Sequence, residues 1–172
     1  MFVRVSDVKK WAGREETAEI HEPWPEATQE RLDFPLKGPA IVFVTVRNTG
    51  GGNLLVEVSG TAQVEAICAR CMEPFPLEVP FSATEQFREE VGENDPLLDY
   101  SRYVGDKIFL DEMVADAVGV SMPIRAVCHE ECQGLCPRCG TNLNWGHCDC
   151  QPEPDSRWAA LARWSPPSEP ES

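Results

Sequence analysis

The sequence predicts an α+β fold: a predominantly antiparallel sheet or half-barrel with one main covering helix and cysteine knuckles near the C-terminus. Three observations predict this class. Strand-like patterns separated by turn residues occupy residues 2–87, one apolar helical face follows at 110–118, and all eight cysteines of the 172-residue chain form close pairs. A chain of this length holds one ordinary domain, or one domain with a small appended module.

Short β-strands are predicted from alternating apolar residues and from β-branched runs. The expected strands are Phe2–Val5, Glu15–His21, Ile41–Arg47, Leu54–Val58, Thr61–Ile67 and Phe75–Phe87. The glycine-rich segment 48–53 predicts a hairpin turn, and Ser59 with Gly60 is expected to separate two strands. Pro76 and Pro80 favour an edge position for the last strand, because proline donates no hydrogen bond to a neighbouring strand.

One amphipathic helix is predicted where the apolar spacing changes from two residues to three and four. Its apolar face consists of Leu110, Met113, Val114, Ala117 and Val118. Asp111 is expected to cap the start of this helix and Pro123 to end it. The helix is expected to cover one face of the sheet, which makes the stripe part of the core.

Four regions follow from these patterns. Residues 1–127 form a strand-rich domain with one helix, and residues 128–150 form a cysteine-rich module packed on it. Residues 151–164 form a short helix that Asp155 caps, and residues 165–172, which lack large apolar side chains, form a disordered tail.

The chain is acidic, with 15 basic and 29 acidic residues and a formal net charge of −14. This charge excludes a protein that grips nucleic acid through a broad basic face. The stretch Glu73–Asp99 carries eight acids and a single base, Arg88. It is expected to form one acidic surface, either a solvated face or a docking patch for a basic partner.

The compartment is predicted from what the sequence lacks. The first ten residues carry charges where a secretory signal needs an apolar run, and no apolar run reaches the length of a membrane helix. The expectation is a cytoplasmic protein without a membrane partner. In a reducing compartment, eight cysteines are expected to be metal ligands, with disulfides as the alternative.

The cysteine spacing predicts metal sites. The four pairs are Cys68/Cys71, Cys128/Cys132, Cys136/Cys139 and Cys148/Cys150. A tetrahedral zinc site takes two thiolates from each of two tight turns, so eight cysteines predict two Zn²⁺ sites with four cysteine ligands each. Because protein fills every ligand position, both sites are expected to be structural.

The pairing of these pairs has two solutions. The preferred one joins Cys136/Cys139 to Cys148/Cys150 and leaves Cys68/Cys71 to meet Cys128/Cys132 across some sixty residues. The other joins the second and third pairs. His129 and His147 are expected either to be exposed or to contact a metal-ligating cysteine without binding the metal themselves. A thioredoxin-like redox role for Cys68 and Cys71 is a further alternative, although a strand follows where that motif needs a helix.

The chain lacks the common enzyme motifs, including HExxH, the phosphate-binding GxxxxGK[ST] loop and GxSxG. Its triple glycine joins two strands rather than a strand to a helix. The sequence therefore predicts a protein that is not an enzyme.

Four sequence blocks resemble the YceD family of bacterial and plastid proteins. They are ICARCMEP at 67–74, MPIRAVC at 122–128, CQGLCPRCGTNLN at 132–144 and CDC at 148–150. The resemblance extends roughly over residues 1–164, and one departure is Asp155-Ser-Arg157, where the family pattern has Asp-Pro-Arg. Family members differ in how many of the later cysteines they keep, which implies that the first site is the more general one.

The resemblance implies a role in accumulation of large-subunit ribosomal RNA and in biogenesis of the large ribosomal subunit, without an established enzymatic activity. One hypothesis is docking of a basic ribosomal or assembly protein through Glu73–Asp99. A second is direct RNA contact through a set of residues near the knuckles: Arg70, Arg125, Arg138, Asn142, Asn144 and Trp145. A third is thiol redox chemistry.

Overall fold

The computed structural model describes residues 1–89, 101–150 and residue 157. The strands are β1 (Phe2–Arg4), β2 (Glu15–Pro23), β3 (Leu36–Lys37), β4 (Pro39–Gly50), β5 (Asn53–Ile67), β6 (Pro74–Glu89), β7 (Ser101–Tyr103) and β8 (Lys107–Phe109). The helices are α1 (Glu26–Gln29) and α2 (Asp111–Ser121), and a single 3-10 turn covers Val8–Lys10.

The main sheet has the strand order β2-β4-β5-β6-β7, and β3 pairs with the far part of β5. All of its pairings are antiparallel except the short one between β6 and β7, while β1 and β8 form a separate antiparallel ribbon. The sheet is open, and α2 is its main helix. The predicted class, an antiparallel-rich sheet with one main helix, is confirmed.

One face of the sheet forms the core. Side chains alternate between buried and exposed along β4 and β5, so that Val42, Val44, Val56 and Val58 lie inside with no more than 2% exposure. The apolar side of α2, including Val114, packs into the same cluster. The other face of the sheet points away from the helix, and its side chains are exposed.

The predicted division at Ser59 and Gly60 is wrong. Strand β5 runs without interruption from Asn53 to Ile67 and pairs with β6 along its whole length. Gly60 lies within the strand. A Cβ at this position would lie 2.5 Å from the carbonyl oxygen of Ile41 and 2.8 Å from the ring of Phe81, so only glycine fits there without displacing its neighbours. The glycine marks a close approach of a neighbouring backbone and an aromatic ring, not a turn.

The hairpin predicted at 48–53 is confirmed, since β4 ends at Gly50 and β5 begins at Asn53. Its three glycines all have positive φ, between 64° and 89°. The edge of β6 that does not pair with β5 is largely open, as its prolines predict. Among the described residues, β7 pairs there only with Phe87–Glu89.

The predicted cap of α2 is wrong in detail. Asp111 is the first residue of the helix. Leu110 occupies the N-cap position, and its side chain makes no capping hydrogen bond. The Asp111 carboxylate instead accepts hydrogen bonds from the α-amino group of Met1 at 2.6 Å and from the hydroxyl of Thr28 at 3.4 Å. The helix ends at Ser121, two residues before Pro123, as expected.

The expected single acidic surface at Glu73–Asp99 is wrong for its described part, because β6 directs alternate residues to opposite faces. Glu78 is exposed on the outer face, whereas Glu85 and Glu89 lie on the other face, beside Ser101 and Lys9. Residues 90–99 lie outside the described residues. So do the predicted helix at 151–164, apart from residue 157, and the predicted tail at 165–172.

None of the described helices has both the length and the apolar character needed to span a membrane.

Candidate metal centres

The first cysteine group joins two distant parts of the chain. Cys68 and Cys71 lie in the turn between β5 and β6, and Cys128 and Cys132 follow α2. Their four Sγ atoms all lie within 4.8 Å of one another. Two of the separations, Cys68 to Cys132 and Cys71 to Cys128, are 3.8 Å. Tetrahedral thiolates at the usual Zn–S distance of about 2.3 Å lie about 3.8 Å apart, so the donor set fits Zn²⁺.

Nitrogen donors surround the buried sulfurs of this group. The backbone amides of Arg70 and Cys128 each lie 3.4 Å from Cys68 Sγ, and the Asn144 side-chain amide lies 3.4 Å from Cys132 Sγ. Cys68, Cys71 and Cys132 are at most 5% exposed. Such N–H donors stabilise thiolates and orient them toward a shared ion.

The second group is local and more exposed. Cys136, Cys139, Cys148 and Cys150 also have sulfurs within 4.8 Å of one another, but Cys139 and Cys150 are exposed. The Thr141 hydroxyl lies 3.2 Å from Cys139 Sγ. The structure therefore divides the eight cysteines as in the preferred solution, and all eight are free of disulfide bonds.

The two CxxC turns share a backbone hydrogen bond and a residue with positive φ. The amide of Met72 donates to the carbonyl oxygen of Cys68 at 2.9 Å, and the amide of Gly140 donates to that of Cys136 at the same distance. Met72 and Gly140 both have positive φ, 60° and 73°. Methionine thus holds a conformation that favours glycine, with its side chain 63% exposed. The sequence signal for this match was the shared Cys-x-Arg-Cys pattern.

The sulfurs of each group differ in acidity. Burial alone raises the pKa of Cys68, but hydrogen bonds from the backbone amides of Cys71, Cys128 and Arg70 outweigh it and lower this pKa to about 5. Burial and the adjacent sulfurs raise the pKa of Cys128 to about 12. In the second group, the Thr141 side chain and amide lower the pKa of Cys139 to about 6, while contact with Cys139 raises the pKa of Cys150 to about 12. Four thiolates this close need a cation to balance them.

Side-chain hydrogen bonds join the two segments of the first group to each other and to the loop that carries the second group. The Arg70 guanidinium donates to the carbonyl oxygens of Glu130 at 2.7 Å and Cys132 at 3.0 Å. The Asn144 carboxamide accepts from the Gln133 amide at 2.8 Å while its nitrogen reaches Cys132 Sγ. These contacts pack the 128–150 module onto the turn between β5 and β6.

The six candidate RNA-contact residues are divided by the structure. Arg70, Asn142 and Asn144 make hydrogen bonds that hold the module together; the Asn142 oxygen, for example, accepts from both nitrogens of Asn144. Arg125 and Arg138 are exposed, and the Trp145 side chain is 84% exposed. Contact with RNA remains a prediction for all six.

The two histidines beside the cysteines are also exposed. The Nδ1 atom of His129 lies 3.1 Å from Cys128 Sγ. His147 does not belong to the second sulfur group.

Cysteine spacing did not reveal that Asn144 donates a hydrogen bond to the sulfur of Cys132, since that contact joins residues from two separate loops.

Sequence comparisons find both uncharacterised relatives and one relative with a functional name. The chain is 37% identical over 116 residues to uncharacterised proteins of Mycobacterium bovis and Mycobacterium tuberculosis, which covers 62% of this chain and 54% of each relative. A 44-residue match at 39% identity joins it to the chloroplastic large ribosomal RNA subunit accumulation protein YCED homolog 1 of Arabidopsis thaliana, covering 26% of this chain and 14% of that one. The chain spans about half the length of the mycobacterial relatives. No solved structure matches it.

A family model covers both cysteine groups. The model of the large ribosomal RNA subunit accumulation protein YceD matches residues 56–163, which is more than half of the chain. The matched range contains nearly all of β5, all of β6 and α2, and all eight cysteines. This protein belongs to the YceD family.

Proposed function

We propose that this protein is a non-enzymatic zinc-binding factor that supports accumulation of large-subunit ribosomal RNA and biogenesis of the large ribosomal subunit in the cytoplasm. The observation that carries the proposal is the family match over residues 56–163, because the matched range contains both cysteine groups and the turns that hold them. The Arabidopsis relative, named as a large ribosomal RNA subunit accumulation protein, supports the same role.

Zinc is proposed from the donor chemistry. Each group holds four sulfurs within 4.8 Å of one another, and two separations in the first group match those of a tetrahedral ion, which favours Zn²⁺ over metals that prefer oxygen ligands. Each site is filled by protein ligands, so the metal is structural. Zinc content of two ions per chain, with thiols that react only after denaturation, is the expected result, and it would exclude the redox alternative.

We propose docking of a basic ribosomal or assembly protein as the mechanism. A chain with a formal charge of −14 is repelled by phosphate at long range and attracts basic proteins. Proteins that bind RNA neutralise its phosphates with lysine and arginine, so a ribosomal protein offers the basic surface that this chain attracts. Direct RNA binding is the second candidate. The observation that favours it is the exposed indole of Trp145 in the same module as the exposed Arg138, because zinc knuckles with an exposed aromatic side chain stack single-stranded bases.

One experiment separates the two mechanisms. The full chain is purified by affinity from cells, with and without ribonuclease, and the bound proteins and RNA are identified. Docking predicts a basic ribosomal or assembly protein that stays bound after ribonuclease and is released by salt. Direct RNA binding predicts ribosomal RNA that is lost with the Arg138→Glu variant. Recovery of neither, together with unchanged ribosomal RNA levels after depletion of the protein, contradicts the proposed function.

A further inference from the structure

The outer face of the main sheet is a broad exposed surface. Strands β2, β4, β5 and β6 each direct every second side chain to this face, and these side chains are largely exposed. No element within residues 1–89 and 101–150 covers them. The face is distinct from the metal centres, which lie beyond the ends of β5 and α2.

An apolar patch lies at the middle of this face. The side chain of Phe43 is 52% exposed and that of Ile41, two residues earlier on β4, is 38% exposed. Phe43 is paired with Glu19 on one side and with Ser59 on the other, and Ile41 is paired with His21. A half-exposed phenylalanine on a sheet face, framed by polar residues, resembles the anchor of a protein interface.

Two acidic side chains lie beside the patch, and a third lies farther along the same face. Glu19 lies directly opposite Phe43, and Glu57 lies diagonally across, two residues from Ser59 on β5. Glu78 lies on the same face of β6 but farther from Phe43, opposite Gln63, which pairs with Lys37 on its other side. Among the described residues, Glu57 and Glu78 form no ion pair, and the partner of Glu19 is the imidazole of His21.

Three basic residues lie on the same face, and two of them form ion pairs with its acids. Lys37 forms an ion pair with Glu65 at 2.9 Å, and Arg47 forms one with Glu15. Arg88 lies opposite Asn53 at the hairpin end of β5. The described face carries more acids than bases, so it keeps a net negative charge, and two of its acids, Glu19 and Glu57, lie beside the apolar patch. Its acids are Glu15, Glu19, Glu57, Glu65 and Glu78.

We propose that this face docks an extended basic segment of a partner protein, with an apolar side chain over Phe43 and Ile41 and with lysine or arginine opposite Glu19, Glu57 and Glu78. Charge complementarity selects this occupant. RNA would bring phosphates against three carboxylates, and a second copy of this chain would bring the same carboxylates against them. The inference rests on the proposed function, since it names the surface through which a basic ribosomal or assembly protein docks.

The test uses proteins extracted from purified large ribosomal subunits and freed of RNA by ribonuclease. The full chain is immobilised, and retention of basic proteins is measured for the wild type, for Phe43→Ala and for the double variant Glu19→Lys with Glu57→Lys. Matched controls are Phe109→Ala, an exposed phenylalanine on the β1–β8 ribbon, and Glu30→Lys, an exposed acid after α1. Thermal unfolding of each variant monitors the fold, and Glu57→Gln replaces the double variant if that does not fold.

We expect the Phe43→Ala and charge-reversal variants to weaken retention about tenfold or more, with both controls like the wild type. Equal retention by all variants would overturn this docking face while leaving the proposed function intact, because a partner would then bind elsewhere. Failure of the wild type to retain any basic protein, with retention of ribosomal RNA in a parallel assay, would overturn both this docking face and the docking mechanism in favour of direct RNA binding, while leaving the role in ribosomal RNA accumulation intact. A dimer of the wild type that Phe43→Ala converts to a monomer would identify a second copy as the occupant and contradict the proposal.

Discussion

Asn144 shows how a single side chain can connect two cysteine groups. It lies between Cys139 and Cys148 of the second group, yet its amide nitrogen lies 3.4 Å from the sulfur of Cys132 in the first group. Its carbonyl oxygen accepts from the Gln133 amide, one residue after Cys132. The neutral donor stabilises the thiolate without adding charge to an already negative site.

Replacing Asn144 by alanine is expected to weaken zinc binding at the first group by about 10- to 100-fold, because partners that hydrogen-bond to metal ligands have effects of this size. Competition with a chromogenic zinc chelator measures the change as faster release of one of two ions. Trp145→Ala is the control, since that neighbouring side chain is 84% exposed. Identical release from Asn144→Ala and the wild type would show that the amide contributes nothing to retention.

At this scale the sequence predicted the cysteines but not their surroundings. Short spacing within each pair is visible in the chain, whereas the partners of Arg70, Asn142 and Asn144 are residues on separate loops. The same limit explains why three residues that were proposed to contact RNA prove to hold the module together. Residue type gives hydrogen-bonding capacity, but only tertiary contacts show how that capacity is used.

At the scale of elements, β5 is the strand on which the sheet is organised. It pairs with β4 and β6 on its two sides and with β3 beyond the start of β4. Gly60 permits the ring of Phe81 and the backbone at Ile41 to approach within a distance that no Cβ allows. The strand therefore remains continuous at a residue that usually weakens strands.

The Gly60→Ala variant is expected to lower the free energy of unfolding by about 1–3 kcal/mol, as overpacking of a close contact does. The added methyl group must displace the Ile41 carbonyl oxygen, which is fixed in the sheet, as well as the Phe81 ring. Urea denaturation measures the effect, and Ser59→Ala, at the adjacent exposed position, is the control. Equal stability of the two variants would mean that the strands separate here without cost.

The main strands and α2 were predictable because their periodicity extends over many residues. The pattern also predicted the hairpin at 48–53, whose glycines adopt positive φ. The elements that it missed, β3, α1, β7 and β8, have two to four residues each. Such short segments carry almost no periodic signal, and their conformation depends on the neighbours they contact.

At the scale of the whole molecule, the two cysteine groups constrain the chain differently. The first closes a loop from Cys71 to Cys128 and connects the sheet to the segment after α2. The second closes only a short loop within 136–150, and two of its cysteines are exposed. A cross-link that closes a longer loop removes more entropy from the unfolded chain.

Loss of the first metal is therefore expected to destabilise the protein more than loss of the second. A cross-link across roughly 60 residues stabilises by about 4 kcal/mol in the chain-entropy model, against about 2–3 kcal/mol for a loop of about ten residues. The pair of variants is Cys68→Ser with Cys71→Ser and Cys148→Ser with Cys150→Ser. Metal content should fall from two ions to one in the Cys148/Cys150 variant, with a smaller decrease in the temperature of thermal unfolding than in the Cys68/Cys71 variant. The reverse order of stability would contradict a connecting role for the first group.

The sequence by itself determined the order of the long strands and the main helix and the positions of the four cysteine pairs, because periodicity and short spacing are properties of contiguous residues. Tertiary structure decided which pairs share a centre, since Cys71 and Cys128 meet only after the sheet and α2 have packed. It also divided the acids of β6 between two faces and left Phe43 at the middle of an open one. These outcomes depend on strand register and long-range contacts, which no local pattern specifies.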